Sequence, residues 1–422
     1  MTTTLSLAEP LSTPRLPDAL LRVLRRSLFR TLESLSSGQL RITEPDGSVT
    51  QLGAAGTPCH ELTVLDRNVY AYLAFGGSTG AGQAWILGLW DAPDVVAVTR
   101  LFLRERDTLA AMDTGALTWL RAPLYKGLEW RRRNTLEGSR RNIQAHYDLG
   151  NDFFKLFLDD SMTYSAGVFA NQATTLAESQ HAKYDLICRK LNLSADDHVL
   201  EIGTGWGGLA LHAATHFGAR VTTTTISEEQ YALATQRVHD AGLDGRIRVL
   251  KQDYRTLEGR YDKLISIEMI EAVGHQYFDT FFNRCAGLLR ADGLAAIQAI
   301  TIQDQYYEQM RRGTDFIREH VFPGGHLPCV REMLRVTAEH TQLRLFDLED
   351  FGQDYARTLE HWRRAFVAAL PQVRNLGYSD EFCRLWDFYL ASCEAGFREA
   401  TTSVVHAHFT KPACARERHD FE

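Results

Sequence analysis

The chain has no CxxC pair, no long apolar run and no strong excess of charge, and each absence closes a class of explanation. Its seven cysteines, at 59, 188, 285, 329, 383, 393 and 414, are odd in number and widely spaced. Neither a disulfide framework nor a zinc cluster is expected, no metal site is expected, and a reducing compartment is the default. No window approaches about 18 uninterrupted apolar residues, the length needed for a spanning helix. The opening MTTTLSLAEPLSTPRLPDALL has no basic segment followed by an apolar one, so no signal peptide is expected. The expectation is a cytoplasmic protein that meets a membrane only from its surface. Lys and Arg number 46 and Asp and Glu 53, a net charge of −7, which argues against bulk nucleic-acid binding. No internal repeat is present.

What remains is a globular composition, 45% hydrophobic and 23% charged over 422 residues, enough for two or three domains. Residues 1–17 read as a loose, flexible tail. Residues 18–105 read as a small α+β domain: a helix with leucines at helical spacing, a hairpin around a PDG turn, further strand-like text in ELTVLDRNVYAYLAFGG, and a helix after DAPD. Residues 106–142 read as a basic amphipathic linker. Between Trp119 and Asn142 it carries seven cations against two acids, interleaved with Trp119, Leu124, Tyr125 and Trp130. That pattern suits an anionic membrane surface, although a solvated linker would look the same.

From residue 143 to 422 strands and helices alternate, as in a doubly wound, mostly parallel α/β sheet of the Rossmann-like kind. LRLFDLEDFG and SVVHAHFTK read as two closing strands. The sharpest motif is Glu201-Ile-Gly203-Thr-Gly205-Trp-Gly207-Gly208, directly after a strand and before a helix. Its spacing is not the GxGxxG fingerprint of pyrophosphate binding. An acid two residues before the first glycine suits the cationic amino-acid end of S-adenosylmethionine (SAM). The second strand ends in Thr225 and, further on, Gln230, able to bond a ribose; an acid is commoner there. The third ends in Asp253 and Tyr254, where Asp253 either meets an adenine or forms a local turn. The fourth ends in Glu268 and Glu271, two carboxylates where open parallel sheets hold ligands.

These residues resemble the cyclopropane fatty acid synthases and mycolic-acid methyltransferases. The matching strings are HYDLGNDFFKLFLDDSMTYS (146–165), VLEIGTGWGG (199–208), TISEEQ (225–230), QDYR (252–255), IEAVG (270–274), FPGGHLP (322–328) and FGQDYARTLEHW (351–362). The resemblance implies a class I SAM-dependent methyltransferase fold with a seven-stranded sheet and a small leading domain. It implies methyl transfer from SAM to the double bond of an unsaturated phospholipid acyl chain, a mid-chain carbocation, and deprotonation by a bound bicarbonate that closes a cyclopropane ring. It implies that Glu271 and Tyr355 hold that anion through side chains and Ile300 through its backbone. Tyr164 and Ser165 would lie near the methionine end, Gly203 and Gly205 under the cofactor, Thr225 and Gln230 at the ribose, Asp253 and Tyr254 at the adenine. Members with the leading domain imply a homodimer.

Two positions depart from the pattern. Ala166 stands where the family has Cys, and Gln298 where it has His; Gln still donates to an anion but cannot titrate. Three readings follow: ring formation, a C-methyltransferase giving methylene- or methyl-branched chains, and a lipid-binding module with a vestigial SAM fold. His406 and His408 share a strand face, but no further ligand cluster accompanies them.

Overall fold

The computed structural model describes residues 16–106 and 149–414. The basic linker and His146-Tyr147-Asp148 lie outside them. Two compact units emerge.

The first contains residues 16–106 together with Gly313–Pro323 and Trp362–Thr401. Strands β1 (Gln39–Thr43), β2 (Val49–Gly53), β3 (Cys59–Val64) and β4 (Trp90–Asp91) form a sheet in the order β2-β1-β3-β4. The hairpin and the Asp94-capped helix Val95–Arg104 match expectation. The strand-like text after β3 does not continue as strand. It forms the helix Val69–Ile86, because Asp66 accepts from the backbone and side-chain amides of Asn68 at 2.8 and 2.9 Å and turns the chain into it. The helix Asp380–Arg398 belongs to this unit for a visible reason. Arg384 donates to the carbonyls of Trp85 and Trp90 at 2.5 and 2.8 Å, and its guanidinium lies over the Trp85 ring. Glu399, just past that helix, pairs with Arg100 and Arg104 at 2.6 and 2.8 Å.

The second unit carries the large sheet. Strands β5 (His198–Ile202), β6 (Arg220–Thr225), β7 (Ile247–Lys251), β8 (Tyr261–Ile267), β9 (Leu289–Ile302), β10 (Arg344–Asp350) and β11 (Thr402–Thr410) stand in the order β10-β11-β9-β8-β5-β6-β7. The pairings from β7 across to β9 are parallel, and β11 runs against both β9 and β10. Helices Gly208–Phe217, Glu228–Asp240 and Phe278–Leu288 follow β5, β6 and β8. One apolar cluster packs Phe278, Phe281, Phe282 and Leu288 on β8 and β9; another packs Tyr184, Ile187, Leu209 and Ala213 on the central strands. Sheet faces covered on both sides leave every residue of β5 after His198 buried. The carboxyl ends of β5–β8 therefore converge on one edge, where a ligand site is expected. Among the described residues no helix is long and apolar enough to cross a membrane.

Candidate active site

At the end of β5 the chain turns through Gly203 and Gly205, with φ of +101° and +52°. These left-handed values favour glycine. A side chain at Gly203 would crowd Met269, whereas the space over Gly205 is open. The amides of Gly203 and Thr204 both bond the Thr224 carbonyl, at 3.1 and 3.0 Å, which pins the loop to β6. Glu201 lies below it, 3% exposed, and accepts the Thr223 hydroxyl at 2.5 Å. Burial pushes its carboxyl up to about 8, against the lowering effect of the Thr223 bond.

The Thr225 hydroxyl donates to Gln230 Oε1 at 2.7 Å, so the two expected ribose neighbours already brace each other. Asp253 caps a short turn, and Arg255 grips both its oxygens, at 2.8 and 2.6 Å. The turn reading of Asp253 is thus realised, and its carboxylate keeps lone pairs for a further donor. Tyr254 packs its ring on Phe281 at 5.6 Å, its hydroxyl buried and without a hydrogen bond. Tyr164 sits in an aromatic group with Phe154 and Phe157, at 5.4 and 6.5 Å. An open glycine floor flanked by carboxylate, hydroxyl and amide acceptors fits the amine and hydroxyl donors of SAM.

Beyond this floor lies a second polar group, at the ends of β8 and β9. Glu268 has φ of +46°. Its Oε1 accepts the Ala166 amide at 2.9 Å and Gln298 Nε2 at 2.7 Å; its Oε2 accepts the Tyr355 hydroxyl at 2.8 Å. Burial raises its pKa, opposed by the Ala166 amide, the Lys183 charge, Tyr355 and Gln298. Glu271 Oε1 accepts the Ile300 amide at 2.5 Å, while its Oε2 is buried with no hydrogen bond. Burial, then the neighbouring Glu268, push Glu271 up to about 8. The structure therefore brings Glu271, Ile300, Gln298 and Tyr355 into one neighbourhood, with Tyr355 bonded to Glu268 and not to Glu271.

The sequence offers Glu268 and Glu271 together as candidate carboxylates at this strand end, and it misses Lys183. Helix Leu176–Lys190 buries Gln180 and Lys183 completely. Lys183 Nζ donates to Ser165 Oγ at 2.6 Å and Gln180 Oε1 at 2.7 Å, and Gln180 donates to the Ser165 carbonyl at 2.9 Å. Ser165 thereby holds the loop that presents the Ala166 amide. Burial lowers Lys183 to about 7, against the pull of Glu268 and Asp159. A polar Gln-x-x-Lys among the apolar residues of one helix face was the available signal. His406, considered for metal, bonds Gln298 Oε1 through Nε2 at 2.8 Å and holds that amide toward Glu268. His408 lies 3.0 Å from Asp347.

Together, the sheet order with one reversed strand and the glycine loop after its first strand define a class I SAM-dependent methyltransferase. Residues 134–407 match the family model described as mycolic acid cyclopropane synthetase, and the chain belongs to that family. It is 35% identical over 394 residues, 90% of this chain and 89% of the relative, to the tuberculostearic acid methyltransferase UfaA1 of Mycobacterium tuberculosis. It is 33% identical over 363 residues, 84% of this chain and 89% of the relative, to the cyclopropane-fatty-acyl-phospholipid synthase of Escherichia coli. Among solved structures it resembles the cyclopropane synthase MmaA2 of M. tuberculosis, with a TM-score of 0.61, 30% identity, and coverage of 64% of this chain and 98% of that one. The cyclopropane synthase CmaA1, solved with S-adenosylhomocysteine, gives the same values. SAM is the methyl donor, and the chain is a cyclopropane synthase-like methyltransferase.

Proposed function

We propose that the chain transfers the methyl carbon of SAM to the double bond of an unsaturated acyl chain in a membrane phospholipid and closes a cyclopropane ring. The observation that carries this reading is the meeting of Glu268, Glu271, Gln298 and Tyr355 past the glycine floor, in a chain of this family. SAM supplies an electrophilic methyl carbon on a positively charged sulfur. The protein's part is to hold the donor over Gly203 and Gly205, to keep a carboxylate ready, and to keep a second carboxyl neutral. At pH 7 Glu271, pushed up to about 8, is mostly a neutral acid. Glu268 is raised as well, but three donors and Lys183 oppose the rise, and two carboxyls in unlike surroundings serve acid–base chemistry. Substrate is drawn from the bilayer at its cytoplasmic face, and the +5 segment 119–142, outside the described residues, supplies attraction to anionic lipid.

A second reading, methylene- or methyl-branched products, is favoured by Ala166 and Gln298 and by the similarity to a tuberculostearic acid methyltransferase. It differs in where the proton leaves. Incubation with SAM and unsaturated phospholipid vesicles, followed by mass spectrometry of the fatty acid methyl esters, separates the readings. A gain of one CH2 that survives hydrogenation is a ring; one that takes up hydrogen is an alkene. No gain on any unsaturated lipid defeats both and leaves the vestigial binding module.

A further inference from the structure

Bicarbonate, the base implied by the family resemblance, needs the donors around Ala166, Gln298, Tyr355 and Ile300. In this structure the protein's own carboxylates take them. Glu268 accepts from the Ala166 amide, the Gln298 side chain and the Tyr355 hydroxyl, at 2.9, 2.7 and 2.8 Å. Glu271 accepts from the Ile300 amide at 2.5 Å. An added anion would find those donors engaged and two carboxyls facing it, which is unfavourable in a buried site. The residues do not fit bicarbonate.

We propose that Glu268 is the catalytic base of this enzyme, built into the chain where an external anion would otherwise be bound. The assignment rests on the lipid methyl-transfer reading given above.

Three features support it independently of the donor count. The first is backbone strain. A non-glycine residue at φ +46° is strained and persists where the surroundings over-determine it. Here a strained position carries a carboxylate aimed into the polar group, with its own amide fixed to the Gln298 carbonyl at 2.8 Å. The second is orientation. Gln298 could present either end of its amide, and His406 Nε2–H on its oxygen settles that its nitrogen faces Glu268. His406 is 2% exposed and stays neutral, so it is a positioning residue. The third is charge. Buried Lys183 is the cation that acts on Glu268, opposing the burial that raises its carboxyl, and a raised carboxyl is, once ionised, a stronger base than an exposed one.

The step balances. The alkene electron pair bonds the methyl carbon as the carbon–sulfur bond breaks onto sulfur, leaving a thioether and a cationic chain carbon. Glu268 then takes a proton from the transferred methyl. The released C–H pair bonds the cationic carbon and closes the ring. A sulfonium and a carboxylate become a neutral thioether and a neutral acid, with no oxidant or reductant. The same base, after a hydride shift along the chain, leaves an exocyclic methylene.

The test uses the full chain, SAM and unsaturated phospholipid vesicles in CO2-purged buffer, with and without added bicarbonate, and calorimetry for SAM binding. The wild type is expected to turn over equally in both buffers. Glu268→Gln is expected to lose about 100-fold or more in turnover, the range a general base supplies, while binding SAM within about threefold of wild type. Glu268→Gly relieves the positive φ and frees three donors, so added bicarbonate or formate should restore activity to it and not to the wild type. Several-fold stimulation of the wild type by bicarbonate would overturn the assignment. So would a Glu268→Gln enzyme that keeps more than about a tenth of its rate. If the wild type binds SAM but makes no lipid product, the parent reading falls and takes this one with it. If product forms and ignores Glu268, only the base assignment falls.

Discussion

Replacing Glu201 by Gln should make the ligand-free protein progressively more stable than wild type as the pH rises. Glu201 is 3% exposed and accepts a single hydroxyl, from Thr223. Burial raises its carboxyl from 4.5 to about 8, so between those values the folded chain holds a proton that the unfolded chain has released. A raised folded value means a contribution that is whole below pH 4.5 and is lost as pH climbs to about 8. Each pH unit well inside that window removes about 1.4 kcal/mol, and because the loss flattens as pH reaches the folded value, about 2 kcal/mol goes between pH 6 and pH 8. Glutamine can still accept from Thr223 through its carbonyl and does not titrate, so the variant escapes the loss.

Urea unfolding of both proteins at pH 6 and pH 8 reads the difference. The stability gap, variant minus wild type, should widen with pH by about 2 kcal/mol. A gap constant within about 0.5 kcal/mol would mean that Glu201 is ionised in the folded chain, and the reasoning would be wrong. The same group has a second readout. If the ammonium of SAM approaches Glu201, binding at pH 7 should expel its proton. Calorimetry in two buffers of different ionisation enthalpy should detect that release in the wild type and not in Glu201→Gln.

Lys183→Met should move the acid limb of the pH–rate profile upward, because the cation favours ionised Glu268 and its loss raises that carboxyl further; turnover then falls more at pH 7 than at pH 9, and an unmoved limb would refute the coupling. Gly167→Ala places a Cβ 2.2 Å from Ser179 Oγ, and the Gly167 amide is tied to Thr358 Oγ1 at 3.0 Å, so the loop presenting the Ala166 amide must shift. We expect a cost of about 1–3 kcal/mol in stability with about tenfold lower turnover, and an enzyme of wild-type rate would show that the Ala166 amide does not position Glu268.

Much of the sheet was legible because its signals are local. VLEIG before glycines and the two closing strands each carry their own punctuation. The Tyr70–Phe75 text was misleading because its aromatics read as strand, while an Asx turn at Asp66 decides for helix. The site was legible where chain position fixes geometry, at the ends of β5 to β9. It was not legible where side chains from distant segments choose partners. Nothing in the order of letters says that Tyr355 bonds Glu268 in preference to Glu271, three residues on. Nor does it say that Lys183, on a helix before β5, is the buried cation of this group.

The two carboxyls at the end of β8 acquire different duties from their surroundings alone. Glu271 is raised by burial and then by its neighbour, with one amide to oppose them; Glu268 is raised by burial too, but three donors and a lysine oppose the rise. That lysine's own proton is held only to about pH 7. That pairing suits a reaction in which positive charge moves from sulfur to a chain carbon and ends as a proton on Glu268. A permanently charged arginine in place of Lys183 would oppose that approach throughout, and no cation at all would let burial keep Glu268 protonated and unable to act. A lysine softened by burial steadies the resting carboxylate with a charge less firmly held than an arginine's.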